Sequence, residues 1–149
     1  MYNFILTAHS LWRWAVIMAG VAAIVSPMMG LVRRTPQELM SSQYGRLFGI
    51  AVDIQFLIGA SLYLVFSPMT TVALNVAEGL PEGSELRFFG VYHGLIMTVA
   101  LLDVHLSAVL IRRAKTVTAR QWRSVYLYAQ TLLLILFSIP WWRPLLGLR

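Results

Sequence analysis

The apolar run Phe4–Val25 is interrupted by the polar stretch T-A-H-S-L-W-R-W at Thr7–Trp14, and this combination decides the fold. About 20 apolar residues are enough for an α-helix to cross the ~30 Å hydrocarbon core of a bilayer. A charged side chain inside such a segment is costly, and by default it indicates a functional site. His9 and Arg13 are four residues apart, so they share one face of the predicted helix. The chain is therefore organised around a membrane span that has one polar face.

The composition predicts an integral membrane protein. Hydrophobic residues make up 58% of the 149 residues and charged residues 12%, whereas charged residues are roughly 25% of a typical globular protein. The mean hydropathy of +0.71 agrees with this interpretation. Cysteine is absent, which excludes disulfides, iron–sulfur clusters and thiol catalysis. We expect the first run to be retained as a span, because it lacks the basic segment and cleavage site of a signal peptide.

Four apolar runs predict one transmembrane domain over residues 1–149. The predicted spans are Phe4–Val25, Leu47–Phe66, Phe88–Ile111 and Val125–Trp142. We expect the first helix to end at Ser26-Pro27, because proline discourages continuation. Helices joined by short connections favour an all-α, antiparallel four-helix bundle.

The distribution of basic residues predicts the orientation. The first and third connections hold eight of them: Arg33, Arg34, Arg46, Arg112, Arg113, Lys115, Arg120 and Arg123. The termini and the middle loop hold three, which are Arg87, Arg143 and Arg149. Basic connections stay on the cytoplasmic side, so we expect a multi-pass protein of the bacterial inner membrane with both termini outside. The net charge of +6 then reflects topology, and we expect no nucleic-acid partner.

Two histidines lie at matched depth in this topology. His9 is five residues into the first span and His93 five residues into the third, and both spans are entered from the outer side. One imidazole from each of two helices is the arrangement that binds a b-type haem in a bundle core. Arg13, about 6 Å deeper than His9, and Arg87, near the outer mouth, are candidate partners for the propionates. The alternative is structural, because histidines also form hydrogen bonds between membrane helices.

His105 cannot share that haem, because it lies roughly 18 Å further along the helix than His93. A second haem near His105, with Met18 as its other ligand, remains an alternative. His105 also belongs to a predicted polar group with Asp53, Gln55 and Asp103 near mid-membrane. Such a group fits a proton relay to a quinone or haem. It also fits a buried ion pair, in which Arg13 is neutralised by an aspartate.

Four short elements carry a family resemblance that extends over all four spans. They are H-S-L-W-R-W at His9–Trp14, D-I-Q-F-L-I-G at Asp53–Gly59, R-F-F-G-V-Y-H at Arg87–His93 and S-I-P-W-W-R at Ser138–Arg143. In these elements the chain resembles bacterial four-helix membrane proteins labelled cytochrome b-like. The resemblance implies a bundle with His9 and His93 as the axial pair of a haem.

These observations predict a membrane-embedded b-type haem protein that transfers electrons, to or from quinone. The alternative is a non-catalytic accessory subunit of a larger respiratory or photosynthetic complex, docked through the acidic loop Glu78–Glu85. A proton-coupled transporter that uses Asp53 and Asp103 would need a homo-oligomer to provide a pathway. The sequence contains no recognisable enzyme motif, so whether the protein is an enzyme stays open and no catalytic residue is assigned.

Overall fold

Four long helices form the protein. The computed structural model describes residues 1–34, 38–67, 70, 72, 75 and 83–143, and these residues contain no strand. The helices are α1 (Tyr2–Arg33), α2 (Glu38–Ser61), α3 (Glu85–Arg112) and α4 (Val117–Phe137). The all-α, antiparallel four-helix bundle is therefore confirmed.

The first helix is longer than the sequence predicted. It continues through Pro27 to Arg33, so the expected end at Ser26-Pro27 is wrong. Proline removes one helical hydrogen bond, but Ser26, Pro27 and Gly30 are buried in the bundle. Packing of this face therefore keeps the chain helical. The helix ends at Arg34, which adopts a left-handed conformation (φ 52°) and whose N–H bonds to the carbonyls of Gly30 and Leu31.

Two helices contain π-helical turns at the same end of the bundle. The helix α2 continues as a π-helix over Leu62–Phe66, and α3 changes from α to π over Phe88–Tyr92 before its main segment His93–Arg112. Turns of this kind occur frequently at functional sites. His9 lies at the same end of the bundle, which we call the histidine end.

The opposite end is the basic end, where α1 leads into α2 and α3 leads into α4. Here α4 begins earlier than the predicted span Val125–Trp142, because Thr116 caps its first turn. The Thr116 Oγ1 accepts a hydrogen bond from the Ala119 N–H at 3.1 Å. The added turns are polar and carry Arg120 and Arg123. The helix ends at Phe137, three residues before Pro140.

The bundle places α1 and α3 across a diagonal. The main contacts of α1 are with α2 and α4, and those of α3 are with the same two helices. The core contains Phe48, which is fully buried and meets the Tyr128 ring edge-on at 5.8 Å. A Cβ atom on Gly20 would lie 3.0 Å from the Phe48 ring, so α1 and α2 approach each other closely here. Small residues allow this approach in many membrane bundles.

Three of the helices are long and apolar enough to cross a membrane: α1, the segment Ser42–Phe66 and α3. Their outer faces carry exposed apolar side chains such as Leu11, Met18, Leu57, Leu102 and Leu106. Such a surface is suited to contact with lipid. The fourth predicted span overlaps α4 over residues 125–137 and stays a prediction, as does the orientation.

Candidate functional site

His9 and His93 face each other across the diagonal of the bundle. His9 lies on α1, and His93 is the first residue after the π-helical turn of α3. The centres of the two imidazole rings are 6.2 Å apart, and the ring planes are inclined at 73°. The matched depth read from the sequence thus corresponds to direct proximity in space.

The His93 ring is oriented by the end of α4. Its Nδ1 lies 2.9 Å from the carbonyl oxygen of Ser138 and 3.0 Å from the Ser138 hydroxyl. The last carbonyls of a helix have no partner within the helix, so the Ser138 oxygen can accept a hydrogen bond from another element. A ring that donates from Nδ1 has an unprotonated Nε2, which is the form that binds a metal. Ser138 is itself completely buried.

The His9 ring is held from α2. The Gln55 side-chain nitrogen lies 3.1 Å from His9 Nε2, and it also donates to the His9 carbonyl oxygen at 3.1 Å. One turn further along α2, a Cβ atom on Gly59 would lie 3.0 Å from the His9 ring. Glycine at position 59 therefore provides the space that the ring occupies. Within the described residues, the buried Nδ1 of His9 has no hydrogen-bond partner.

A cavity of about 320 Å³, which we call the histidine cavity, opens beside the two rings. Its walls come mainly from α1 and from the end of α4, with His93, Phe89 and Met97 from α3. Volumes of this order are typical of small-molecule sites. The histidine cavity is therefore large enough for a ligand group beside both imidazoles.

Two arginines line the histidine cavity. Arg13 is the residue that the sequence predicted, and Arg143 is one that it missed. Arg143 follows Pro140, whose turn brings the chain back over the bundle, and it lies over the Phe89 ring at 4.5 Å. Its Nε donates to Glu85 Oε1 at 3.1 Å. The sequence indicates Arg143 only as the last residue of the S-I-P-W-W-R element.

Arg87 does not line this cavity. Its guanidinium carbon lies 5.7 Å from the centre of the Tyr92 ring. The backbone N–H of Arg87 donates to the Ser84 hydroxyl at 3.2 Å, and this hydrogen bond caps the first turn of α3. Arg87 therefore lies outside the lining of the histidine cavity, and its role as a propionate partner stays a prediction.

The two π-helical turns are joined next to His93. The Tyr63 hydroxyl of the first turn donates to the carbonyl oxygen of Gly90 in the second. A Cβ atom on Gly94 would lie 3.2 Å from the Tyr63 ring, so the ring packs directly against the start of the main α3 segment. Tyr63 therefore fixes the backbone that carries His93.

The predicted group of Asp53, Gln55, Asp103 and His105 is divided in the structure. His105 Nε2 lies 2.8 Å from Asp53 Oδ1, between α3 and α2. Asp103 turns the other way, towards α4, where it accepts hydrogen bonds from Gln130 at 3.0 Å and Thr131 at 2.6 Å. Gln55 belongs to the His9 site. Residues two apart on a helix point in nearly opposite directions, which explains why Asp103 and His105 separate.

The histidine cavity presents two imidazoles as candidate metal ligands. Within the part of the chain that the structure describes, no group of three or more histidine and acidic side chains could hold a metal ion alone. Two imidazoles suit a metal whose other ligands come from a macrocycle. The side chain of Met18, considered for a second haem with His105, is 66% exposed on the surface of α1.

Comparison of the chain with protein-family models, with curated proteins and with solved structures gave no match.

Proposed function

We propose that this chain is a membrane-embedded b-type haem protein that transfers electrons, and that His9 and His93 would hold the haem. The observation that carries the proposal is the proximity of the two imidazoles, whose ring centres are 6.2 Å apart beside one cavity. One imidazole from each of two helices is a ligand set that suits a haem in a bundle core.

The protein supplies the orientation of both ligands. Ser138 holds the Nδ1 of His93, which leaves Nε2 to coordinate. Gln55 is bonded to the backbone oxygen of His9 as well as to its ring. If His9 held the haem through Nε2, the contact of Gln55 with the ring would be lost, while its hydrogen bond to the His9 carbonyl oxygen would keep Gln55 in position. Partners of this kind typically affect metal affinity by 10–100-fold.

The two arginines of the histidine cavity suit the carboxylates of a haem. Arg13 and Arg143 both line the space beside the imidazoles. A guanidinium has five N–H donors, so Arg143 can serve Glu85 and an anion in the cavity together. Arginine pairs with carboxylates through charge-assisted hydrogen bonds, which are about twice as strong as neutral ones.

When bound, the haem supplies reversible one-electron transfer. We propose membrane quinone as the exchange partner, because quinones dissolve in the bilayer that the apolar faces of the helices suit. The Asp53–His105 pair lines a second cavity, between α2, α3 and α4, and would take up the proton that a quinol releases.

The experiment is an absorption spectrum of the purified protein, oxidised and reduced, after expression with ample haem. We expect a Soret band in the unmodified protein, and its loss in His9→Ala and in His93→Ala. His105→Ala is the matched control and should keep the band. A colourless unmodified protein, or a band that survives both substitutions, would contradict the proposal.

A further inference from the structure

A second cavity lies at the basic end, about 530 Å³ in volume and enclosed by α2, α3 and α4. Each of these helices contributes one arginine to its lining: Arg46, Arg112 and Arg120. We call it the arginine cavity. It is separate from the histidine cavity, which is formed at the other end of the bundle.

The charge of the arginine cavity is strongly asymmetric. Its lining contains one carboxylate, Asp53, which lies seven residues beyond Arg46 on α2 and is bonded to His105. Seven residues correspond to about 10 Å along a helix. The end of the cavity that holds the arginines is therefore free of acidic lining residues. Arginine is well suited to phosphate, because its planar fork of donors matches the phosphate oxygens.

The shape of the arginine cavity adds an apolar groove to this charged end. A Cβ atom on Gly49 would meet nothing within 4 Å, so there is open space over this position. Gly49 lies one turn from Arg46, between the arginines and the middle of the bundle. The apolar part of the lining consists of Ile50, Val104, Ala108 and Ile111, and polar side chains, Asp53 and His105 among them, complete it. A ligand that fills both regions needs an anionic head and a hydrocarbon chain.

Not every basic residue at this end belongs to the cavity. Arg123 donates from Nη1 to the carbonyl oxygen of Leu110 at 2.8 Å, which closes the last turn of α3. Arg113 is adjacent to Arg112 in sequence but does not line the cavity. These differences separate a built site from the general basic charge that sets topology.

We propose that the arginine cavity binds an anionic phospholipid, with the phosphate at Arg46, Arg112 and Arg120 and one acyl chain in the groove over Gly49. Basic pockets between membrane helices bind such head groups in other proteins. The proposal does not depend on the haem, because the two cavities share no lining residue.

The first test measures lipid binding to the full chain by native mass spectrometry, with phosphatidylglycerol and phosphatidylcholine as probes. We expect saturable binding of phosphatidylglycerol at one site. Arg112→Gln and Arg120→Gln should each weaken it about fivefold, the effect of one basic residue near a membrane surface. Arg113→Gln is the matched control and should leave it unchanged. Equal binding of both lipids, or an equal loss in the control, would overturn the proposal.

The second test addresses the groove and distinguishes a lipid from a free anion. Gly49→Leu fills the open space without meeting another atom at Cβ, so we expect the helical circular dichroism to be unchanged and phosphatidylglycerol binding to be lost. Inorganic phosphate at millimolar concentration should not displace the lipid. Unchanged binding in Gly49→Leu, or displacement by phosphate, would assign the cavity to a free anion and contradict the lipid.

Discussion

Two pairs of side chains in this bundle contain histidine, and their surroundings differ: one is His9 with His93, and the other is His105 with Asp53. His9 and His93 come from helices across the diagonal, and each ring is held by a polar partner on a third or fourth helix. His105 and Asp53 lie on adjacent helices, and both side chains are substantially exposed. The first pair has an orienting partner for each ring and a cavity beside it, as a cofactor site needs. The second pair lines the arginine cavity and joins a carboxylate to an imidazole, which are groups that exchange protons.

The largest expected effect is the loss of haem when Gly59 of α2 is replaced, with Gly49 of the same helix as the control. Gly59→Leu should abolish haem binding, because the new side chain would occupy the space of the His9 ring. Gly49→Leu, ten residues earlier on the same helix, should keep the haem, because nothing lies near its Cβ position. Haem content per purified chain is the measurement. Normal haem content in Gly59→Leu would show that His9 does not bind in its observed position.

The next largest effect is expected on the rate of haem reduction, when Asp53 of the Asp53–His105 pair is replaced. Asp53→Asn should leave the absorption spectrum unchanged but slow the quinol-dependent reduction of the haem by about a hundredfold, the lower end of what a positioned base contributes. Initial rates with a soluble quinol test this role. An unchanged rate would remove the pair from proton transfer.

A smaller effect is expected at the buried serine that orients His93. Ser138→Ala removes the hydroxyl contact but keeps the backbone acceptor at 2.9 Å, so haem affinity should fall about tenfold, the low end for such partners. Ser124 is another buried serine and lies within α4, so Ser124→Ala is the control and should bind haem normally. Haem titration of the apoprotein measures both. Equal affinities for the two variants would argue against orientation by Ser138.

The smallest effect is expected at the link between the two π-helical turns. Tyr63→Phe loses the hydrogen bond to Gly90 and should destabilise the protein by about 1 kcal/mol. Tyr126→Phe alters a tyrosine that is 71% exposed and should have no effect. Thermal unfolding in detergent compares the two variants. A Tm that falls equally in both would contradict a specific role for Tyr63.

Much of this arrangement could be predicted from the sequence, because helix length and depth follow directly from residue number. His9 and His93 were paired by depth alone, and the bundle brings them together. Depth does not specify the direction of a side chain, however, so Asp103 and His105 were grouped although they contact different helices.

Other features depend on packing that no local pattern records. Pro27 stays inside α1 because its face of the helix is buried. Arg143 reaches the histidine cavity because the chain turns at Pro140, inside the predicted span Val125–Trp142. One of the two partners of His93 Nδ1 is the backbone carbonyl of residue 138, which leaves no signal in the sequence; the other is the Ser138 hydroxyl. Glu78 and Glu82 of the predicted docking loop lie outside the described residues, so that alternative stays a prediction.

The most direct test of the central claim is the haem stoichiometry and spin state of the purified protein. The pyridine haemochrome spectrum gives the haem type and amount, and electron paramagnetic resonance of the oxidised protein gives the spin state. The account predicts one haem b per chain in a low-spin form with two imidazole ligands. A protein without haem, a high-spin haem with one ligand, or two haems per chain would contradict it.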